Sequence, residues 1–344
     1  MSRRRTIAVA TAALVALVVP LAACSTGTGT GGASSGPTPA ATTPAATTTT
    51  AFRPVTVDNC GTSVTVAAPP SRVVTIKSTP TEMMLALGLG DRIVGEAYQD
   101  GPVPDQWASA AAGIPVLSDK IPGQEAVLAL DPDFVYAGWE SNVTADGGVG
   151  DRAALAARGI GTYVSPSACK EPSDQPDPLT FDDVFSEITE VGNLFGVPDK
   201  ASALVASQKS DLAAIKPVSG VSAFWWSSGG DTPYAGAGIG APQLIMSTAG
   251  VTNILANVHD TWTSAGWEQV VAADPDVIVL VDASWNTYDH KVQTLESNPA
   301  LSQLTAVKDK RFVRLPFAAT EAGVRNVEAA ASLAQQVRDL GLGG

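Results

Sequence analysis

The sequence predicts an α/β fold in which two Rossmann-like lobes are joined by a single long helix. Three observations predict it. Short apolar runs typical of strands alternate with segments typical of helices from residue 55 onward. A nine-residue pattern occurs once in each half of this stretch, and a long helical segment separates the two copies. We therefore predict an N-terminal lobe over residues 55–197, a linking helix over 198–216 and a C-terminal lobe over 217–344.

The elements of the N-terminal lobe follow from apolar patterning and helix-start signals. Residues 64–66 have the pattern of an edge strand, and residues 72–76 that of a short buried strand. Pro80 and Glu82 then stand in the first turn of a predicted helix, which Gly88 or Gly90 ends. The remaining elements predicted in this lobe are strands at 93–94, 134–136 and 162–164 and helices at 124–130 and 153–158.

Two long helices are predicted next, over residues 181–195 and 200–215. Both carry apolar residues on one stripe, and the second is about 24 Å long at 1.5 Å per residue, enough to bridge two small lobes. After Pro217 the alternation resumes. The elements predicted for the C-terminal lobe are strands at 221–226, 277–281 and 312–315 and helices at 242–249 and 324–340.

The repeated pattern is Glu-x-Val-x-Ala-x-Asp-Pro-Asp, which begins at Glu125 and recurs at Glu268. Each copy predicts a short helix, a proline break and a buried strand, and each strand is followed by a tryptophan, Trp139 or Trp285. Chance reuse of a common turn would also give such a pattern. Six matched positions, placed centrally in each half, favour a duplicated lobe.

The amino-terminal segment has the pattern of a secretory signal. Arg3, Arg4 and Arg5 precede an apolar stretch that ends in small residues before Cys24. We predict a signal peptide over 1–23 and a flexible Ser/Thr/Gly/Pro tether over 24–54. The ending Leu-Ala-Ala-Cys resembles a bacterial lipobox, which implies that Cys24 becomes a lipidated N-terminus. The alternative is an ordinary signal peptide with an incidental cysteine.

Charge and cysteine content limit the possible partners. The 344 residues carry a net charge of −13, which argues against nucleic acid because a phosphate-binding face needs clustered Lys and Arg. Two cysteines remain after Cys24, namely Cys60 and Cys169. In an exported chain they favour a disulfide between the entry strand and the loop before Thr180, although two buried thiols are the alternative.

Residues 72–95 resemble the opening of the helical-linker, class III substrate-binding proteins of ABC importers, and the two Glu-x-Val-x-Ala-x-Asp-Pro-Asp segments resemble that family's lobe signatures. The resemblance implies two α/β lobes with a ligand cleft between them and a ligand such as a ferric siderophore, haem or cobalamin. It implies a monomeric, lipid-anchored protein on the extracellular face of the cytoplasmic membrane, whose partners are an ABC permease dimer and its ATPase. It also implies that Glu125 and Glu268 dock onto the permease. Stabilisation of a helix start by an acid is the alternative for each glutamate, and their equivalent positions in the repeated unit favour docking.

The cleft residues are predicted from the loops that leave the strands, because ligands of open α/β sheets lie beyond the carboxyl ends of the strands. All seven tryptophans are predicted at strand ends or in loops, which indicates an aromatic-lined cleft; a place in the core is the alternative for any one of them. Lys77 and Arg325 are the candidate cations of the cleft, or else surface residues. Gly236 to Gly240 could hold an anion or form a plain turn. The predicted ligand-binding residues are Lys77, Tyr98, Trp139, Trp226, Tyr234, Trp262, Trp285 and Arg325.

A narrower resemblance concerns the segments 229–243, 259–268, 281–291 and 320–329, which look like an actinobacterial subgroup of the same family. That subgroup has been proposed to bind the precursor of the 5-deazaflavin redox cofactor, which has a flat tricycle, a ribityl chain and a phosphodiester. Catecholate siderophores would require several arginines that the cleft loops lack. Hydroxamate siderophores, including an iron(III)-hydroxamate complex, and cobalamin remain open.

Two other classes are disfavoured. An extracellular lipoprotein hydrolase would need a nucleophile elbow, and no G-x-S-x-G stands on a predicted strand-to-helix turn. A zinc or manganese carrier would use several histidines, whereas the chain has only His259 and His290. We therefore predict a binding protein with no enzymatic activity, no catalytic residues, no metal site and no cofactor of its own.

Overall fold

The computed structural model describes residues 52–344. The predicted signal peptide, Cys24 and nearly all of the predicted tether lie outside this range. Within it, none of the helices is both long and apolar enough to cross a membrane.

The predicted α/β class is confirmed, with one large sheet in each lobe. The strands are β1 (Val55–Asn59), β2 (Thr62–Val66), β3 (Val73–Ile76), β4 (Ile93–Ala97), β5 (Val116–Ser118), β6 (Phe134–Ala137), β7 (Gly161–Val164), β8 (Val221–Ser228), β9 (Tyr234–Gly236), β10 (Val251–Asn253), β11 (Trp262–Ser264), β12 (Val277–Asp282) and β13 (Phe312–Pro316). The helices are α1 (Ser78–Ala86), α2 (Asp105–Ala111), α3 (Gln124–Leu128), α4 (Arg152–Ala156), α5 (Phe181–Leu194), α6 (Pro198–Ala214), α7 (Ala241–Ala249), α8 (Trp267–Ala273), α9 (Tyr288–Ser297), α10 (Thr305–Lys308) and α11 (Asn326–Asp339).

The N-terminal lobe is built on a five-stranded parallel sheet of order β5-β4-β3-β6-β7. All four residues of β3 are buried, as expected for a central parallel strand that is covered on both faces. Strands β1 and β2, of which only the second was predicted, form a separate antiparallel hairpin.

The C-terminal lobe has a six-stranded mixed sheet. Its order is β11-β9-β8-β12-β13, and β10 also pairs with β8. Strands β10, β12 and β13 run parallel to their neighbours, whereas β9 and β11 are antiparallel additions at one edge. The short strands β9, β10 and β11 were not predicted, because three residues carry too little periodicity to distinguish a strand from a loop.

Helix α6 connects the two sheets and is held along its length. Gly192 of α5 lies so close to it that a Cβ there would stand 2.3 Å from the Cβ of Ala201. Near its middle, the buried Gln208 amide donates a hydrogen bond of 2.7 Å to the carbonyl of Val324. Ile215, at its end, packs against the hydrophobic cores of both lobes. The connection between the lobes is therefore a braced helix.

The two copies of the repeated pattern play the same structural part. The Asp133 carboxylate accepts hydrogen bonds from the backbone N–H and hydroxyl of Ser71, at 2.8 and 2.9 Å. The Asp276 carboxylate accepts the same pair of bonds from Ser222, at 2.8 and 2.7 Å. Asp131 and Asp274, at the start of each Asp-Pro-Asp, both have positive φ. Each copy thus fastens its own strand to the central strand of its lobe.

Candidate ligand-binding cleft

A cavity of about 410 Å³ lies between the lobes. The first turn of α1 and the loops after β6 and β7 form one side. Strands β8, β9 and β11, the start of α7 and the segments after β12 and β13 form the other. The cavity therefore lies where parallel strands place their carboxyl ends, which is the usual ligand position in open α/β sheets. Its size is within the range of small-molecule sites.

Aromatic side chains form the walls of the cavity. Tyr234 and Trp262, on the paired strands β9 and β11, stack with ring centroids 6.0 Å apart. Trp285 meets the ring of Phe317 edge-on at 5.2 Å, and Trp139 faces them from the N-terminal lobe. Trp285 is 47% exposed and Tyr234 42% exposed, which is unusual for such large apolar groups. Flat faces of this kind suit a planar ring.

The polar lining is dominated by hydroxyl groups. The seven hydroxyl-bearing serines and threonines are Thr79, Ser141, Ser165, Ser167, Ser227, Ser228 and Thr261. Hydroxyls both donate and accept hydrogen bonds, so this lining can bind a polyol chain without requiring a charged ligand.

Glu321 is a cavity residue that was not predicted from the sequence. Its carboxyl group accepts a hydrogen bond of 2.8 Å from the indole N–H of Trp139 and one of 3.4 Å from the hydroxyl of Thr79, both across the cleft. Burial raises the pKa of Glu321 to about 7; nearby Lys77 opposes this rise and Asp100 adds to it. One sequence feature could have indicated this residue. It is an acid shortly after a predicted strand, in a segment of mostly small and apolar residues.

Lys77 is not available to a ligand, which corrects its prediction as a cleft cation. Its side chain is fully buried and forms an ion pair with Asp100. The ammonium lies 4.1 Å from the centre of the Trp139 ring and 4.3 Å from that of Tyr98. Tyr98 packs edge-on behind Trp139 and is not part of the cavity wall. Lys77 and Tyr98 therefore support the aromatic wall from behind.

Arg325, the second predicted cation, is also engaged. Its guanidinium lies 3.4 Å from the carboxylate of Glu82 across the lobes and 3.3 Å from that of Glu328. It faces a second groove of about 630 Å³, which adjoins the aromatic cavity at Phe317. Arg325 therefore lines this adjoining groove and not the aromatic cavity, and its role in ligand binding stays a prediction.

Trp226 is a core residue, contrary to its prediction as a cleft residue. It is 1% exposed and packs edge-on against Trp267 at 4.9 Å. The cause is the length of β8, which continues to Ser228 and has a hydrophobic cluster on each face. Trp225 therefore points into one core and Trp226 into the other.

The first part of the glycine-rich loop forms a turn in which three N–H groups are already bonded, and its end, at Gly240 and Ala241, lines the cavity. The backbone N–H groups of Ala237, Gly238 and Ile239 all donate to carbonyls in the segment from Val258 to Thr261. A Cβ on Gly238 would lie 2.2 Å from the Ala256 carbonyl oxygen, so only glycine fits there.

The two glutamates of the repeated pattern lie away from the cavity. Glu125 and Glu268 are exposed in the first turns of α3 and α8, each just after a glycine N-cap. Two other candidates are also on the surface: His259 contacts Asp177 at 2.9 Å, and His290 is exposed on α9. In the described part of the chain, no group of three or more His, Cys, Asp or Glu side chains could hold a metal ion.

A disulfide joins Cys60, in the turn between β1 and β2, to Cys169, with Cα atoms 5.2 Å apart. Cys169 belongs to the cavity wall, together with Ser167, Ala168 and Lys170. The bridge thus attaches a loop of the cavity wall to the amino-terminal hairpin.

The chain resembles known binding proteins in sequence and structure. Residues 73–319 match the family described as periplasmic binding protein. An uncharacterized ABC transporter substrate-binding lipoprotein of Bacillus subtilis (strain 168), YvrC, is 26% identical over 83% of this chain and 85% of its own length. A cobalamin-binding protein of Halobacterium salinarum is 28% identical over 64% of this chain and 57% of its own length. The crystal structure of an ABC-type Fe3+-hydroxamate transport system from Saccharomonospora viridis DSM 43017 matches with 30% identity and a TM-score of 0.70, covering 82% of this chain and 98% of that one.

Proposed function

We propose that this chain, which belongs to the periplasmic binding protein family, captures a planar small molecule outside the cytoplasmic membrane and delivers it to the permease of an ABC importer. The similarity to YvrC over most of both chains supports the importer role. We expect the protein itself to have no enzymatic activity, since the arrangement of the cleft is that of a binding site. Its partners are then a permease dimer with its ATPase, and the protein acts as a monomer.

One observation carries the choice of ligand class, namely the aromatic walls that the two lobes place around a hydroxyl-lined cavity. A flat tricycle can stack against Tyr234, Trp262 or Trp285, and a ribityl chain can bond to the serine and threonine hydroxyls. The precursor of the 5-deazaflavin cofactor has both parts. We therefore infer a ligand of this type.

An iron(III)-hydroxamate siderophore is the second candidate, because the Saccharomonospora viridis protein is described as part of a hydroxamate transport system. Such a complex is globular, so it would make apolar contacts with the aromatic walls without stacking on them. Cobalamin is the third candidate, by similarity to the Halobacterium salinarum protein. A corrinoid is much larger than a flavin-like ring and would not fit within about 410 Å³ unless the lobes opened.

The delivery step involves two further features. The lipobox resemblance supports an anchor at Cys24, which would hold the protein on the extracellular face of the membrane. Glu125 and Glu268 are exposed at equivalent helix starts of the two lobes, and we propose that each docks onto one permease subunit. An acid on each lobe suits a partner built from two subunits.

Titration of the intrinsic tryptophan fluorescence tests the ligand class, since three tryptophans line the cavity. We expect saturable quenching by the deazaflavin precursor and none by a ferric hydroxamate or cobalamin. Replacement of Trp285 by alanine should weaken binding of the precursor, whereas replacement of Trp107, which does not line the cavity, should not. Quenching by the ferric hydroxamate alone would favour the second candidate and overturn the first.

A further inference from the structure

The aromatic cavity has little positive charge. Its charged lining side chains, within residues 52–344, are Glu140, Lys170 and Glu321. Lys170 is exposed to solvent, and its backbone N–H donates to the Glu140 carboxylate at 2.5 Å. If all three groups are ionised, the lining carries a net negative charge. A ligand with several negative charges would therefore meet repulsion without compensation.

The two buried cations near the cavity are already neutralised. Asp100 pairs with Lys77, and Glu82 pairs with Arg325. Both ion pairs are buried, so moving either cation toward a ligand would leave a carboxylate without its partner. Such a change costs several kcal/mol as a rule. We therefore expect both ion pairs to stay intact when a ligand enters, so neither cation becomes available to the ligand.

Glu321 has acceptor capacity that its protein partners do not fill. A carboxylate offers about four acceptor positions, and Glu321 uses two, for Trp139 and Thr79. None of the described cations lies within ion-pair distance of it. Because the group is partly buried against aromatic rings, a ligand donor that bonds to it would offset part of its lost hydration.

We propose that Glu321 is a specificity-determining residue that accepts a hydrogen bond from an N–H or O–H at the edge of a planar ligand. The cleft would then select heteroaromatic rings that carry such a donor and no more than one negative charge. An imide edge, with one N–H between two carbonyls, satisfies this condition, and the nearby Thr79 hydroxyl can donate to one of the carbonyls. This inference rests on the proposed function and narrows its ligand class.

The test pairs a change in the protein with a change in the probe. The probes are the deazaflavin precursor and its analogue methylated on the ring imide nitrogen, which cannot donate. For the wild-type protein at pH 8, above the Glu321 pKa of about 7, we expect methylation to raise Kd about tenfold to a hundredfold, as for a hydrogen bond to a charged group. In Glu321→Met, a side chain of similar length without acceptors, the two probes should bind within about threefold of each other.

Control variants separate the subsite from general damage. Glu140→Met removes the other carboxylate of the cavity lining and should keep the methylation effect. Glu321→Gln keeps an acceptor for the Trp139 indole, so it can replace the methionine variant if that variant does not fold. We expect its methylation effect to be smaller than that of the wild type. Near-ultraviolet circular dichroism establishes that each variant is folded before its titration.

The outcomes distinguish the subsite from the proposed function. An equal methylation effect in the wild type and Glu321→Met would overturn the subsite and leave the importer function standing. A second result would also overturn the subsite and leave the importer function standing. In it, the wild-type protein binds a ferric hydroxamate or cobalamin and not the precursor, and Glu321→Met binds that ligand with the same Kd. Failure of every probe to bind the wild-type protein would overturn the ligand classes of the proposed function together with the subsite.

Discussion

Glu187→Gln is expected to raise the free energy of unfolding at pH 8 and to change it little at pH 5. Glu187 lies on α5 in the interior of the N-terminal lobe and is 5% exposed. Its carboxyl group accepts a hydrogen bond of 3.0 Å from the buried hydroxyl of Tyr136. Burial raises the pKa of Glu187 to about 7; the Tyr136 hydrogen bond opposes this rise and nearby Glu190 adds to it.

The size of the effect follows from the difference between the folded pKa of about 7 and the ordinary value of 4.5. Because the folded state binds the proton of Glu187 more tightly than the unfolded state does, this group adds to the free energy of unfolding. The contribution is fully present below pH 4.5 and is lost as the pH rises through 7. At about 1.4 kcal/mol per pH unit, the loss is about 3 kcal/mol. Glutamine is neutral throughout, so the variant should avoid that loss.

Urea denaturation at pH 5, 6, 7 and 8 measures this difference, with the disulfide left intact and the slope m compared between proteins. Glu82 and Glu321 also have a pKa raised to about 7, so the wild-type protein has a steeper overall pH dependence, and only the difference between proteins reports on Glu187. Asp182→Asn is the matched control, because it removes one exposed carboxylate from the first turn of the same helix. Parallel stability curves for the wild type and Glu187→Gln would refute the reasoning.

Two further predictions concern the disulfide and the docking surface. Replacing both cysteines of the disulfide with serine should lower the free energy of unfolding by about 5 kcal/mol, because the bridge spans 109 residues. The same change should weaken ligand binding at the cavity wall. Urea denaturation and fluorescence titration measure the two effects. Glu125→Ala with Glu268→Ala should abolish uptake by cells while leaving the Kd of the purified protein unchanged. Asp199→Ala with Asp289→Ala, which removes acids from the first turns of α6 and α9, should leave both unchanged. A rise in Kd in the glutamate pair would contradict the docking role.

Much of the architecture was predictable because apolar periodicity persists over long elements. The helix predicted at 200–215 is observed as Pro198–Ala214, and the strand predicted at 277–281 as Val277–Asp282. Hydrophobic burial determines such elements, and the pattern is visible in a single sequence. The short edge strands β9 and β11 depend on pairing with each other and with β8, which no local pattern reveals.

The cleft was predictable in its aromatic character but not in its charges. Trp139, Tyr234 and Trp285 line the cavity because each follows or begins an element at the carboxyl edge of a sheet. The pairing of Lys77 with Asp100 depends on contacts between separate segments. The position of Glu321 depends on how the C-terminal lobe faces the other lobe. Sequence identifies which residues carry charge, whereas packing between lobes decides which charges remain available.

The bracing of α6 has a consequence for how a ligand enters and leaves. Contacts at Ala201, Gln208 and Ile215 fasten this helix to its surroundings along its length, so a wide swing of the lobes would have to break them. On the proposed function, entry and exit of a ligand then depend on small movements of the lobes. We expect such a protein to release its ligand when a partner alters the contacts of this helix.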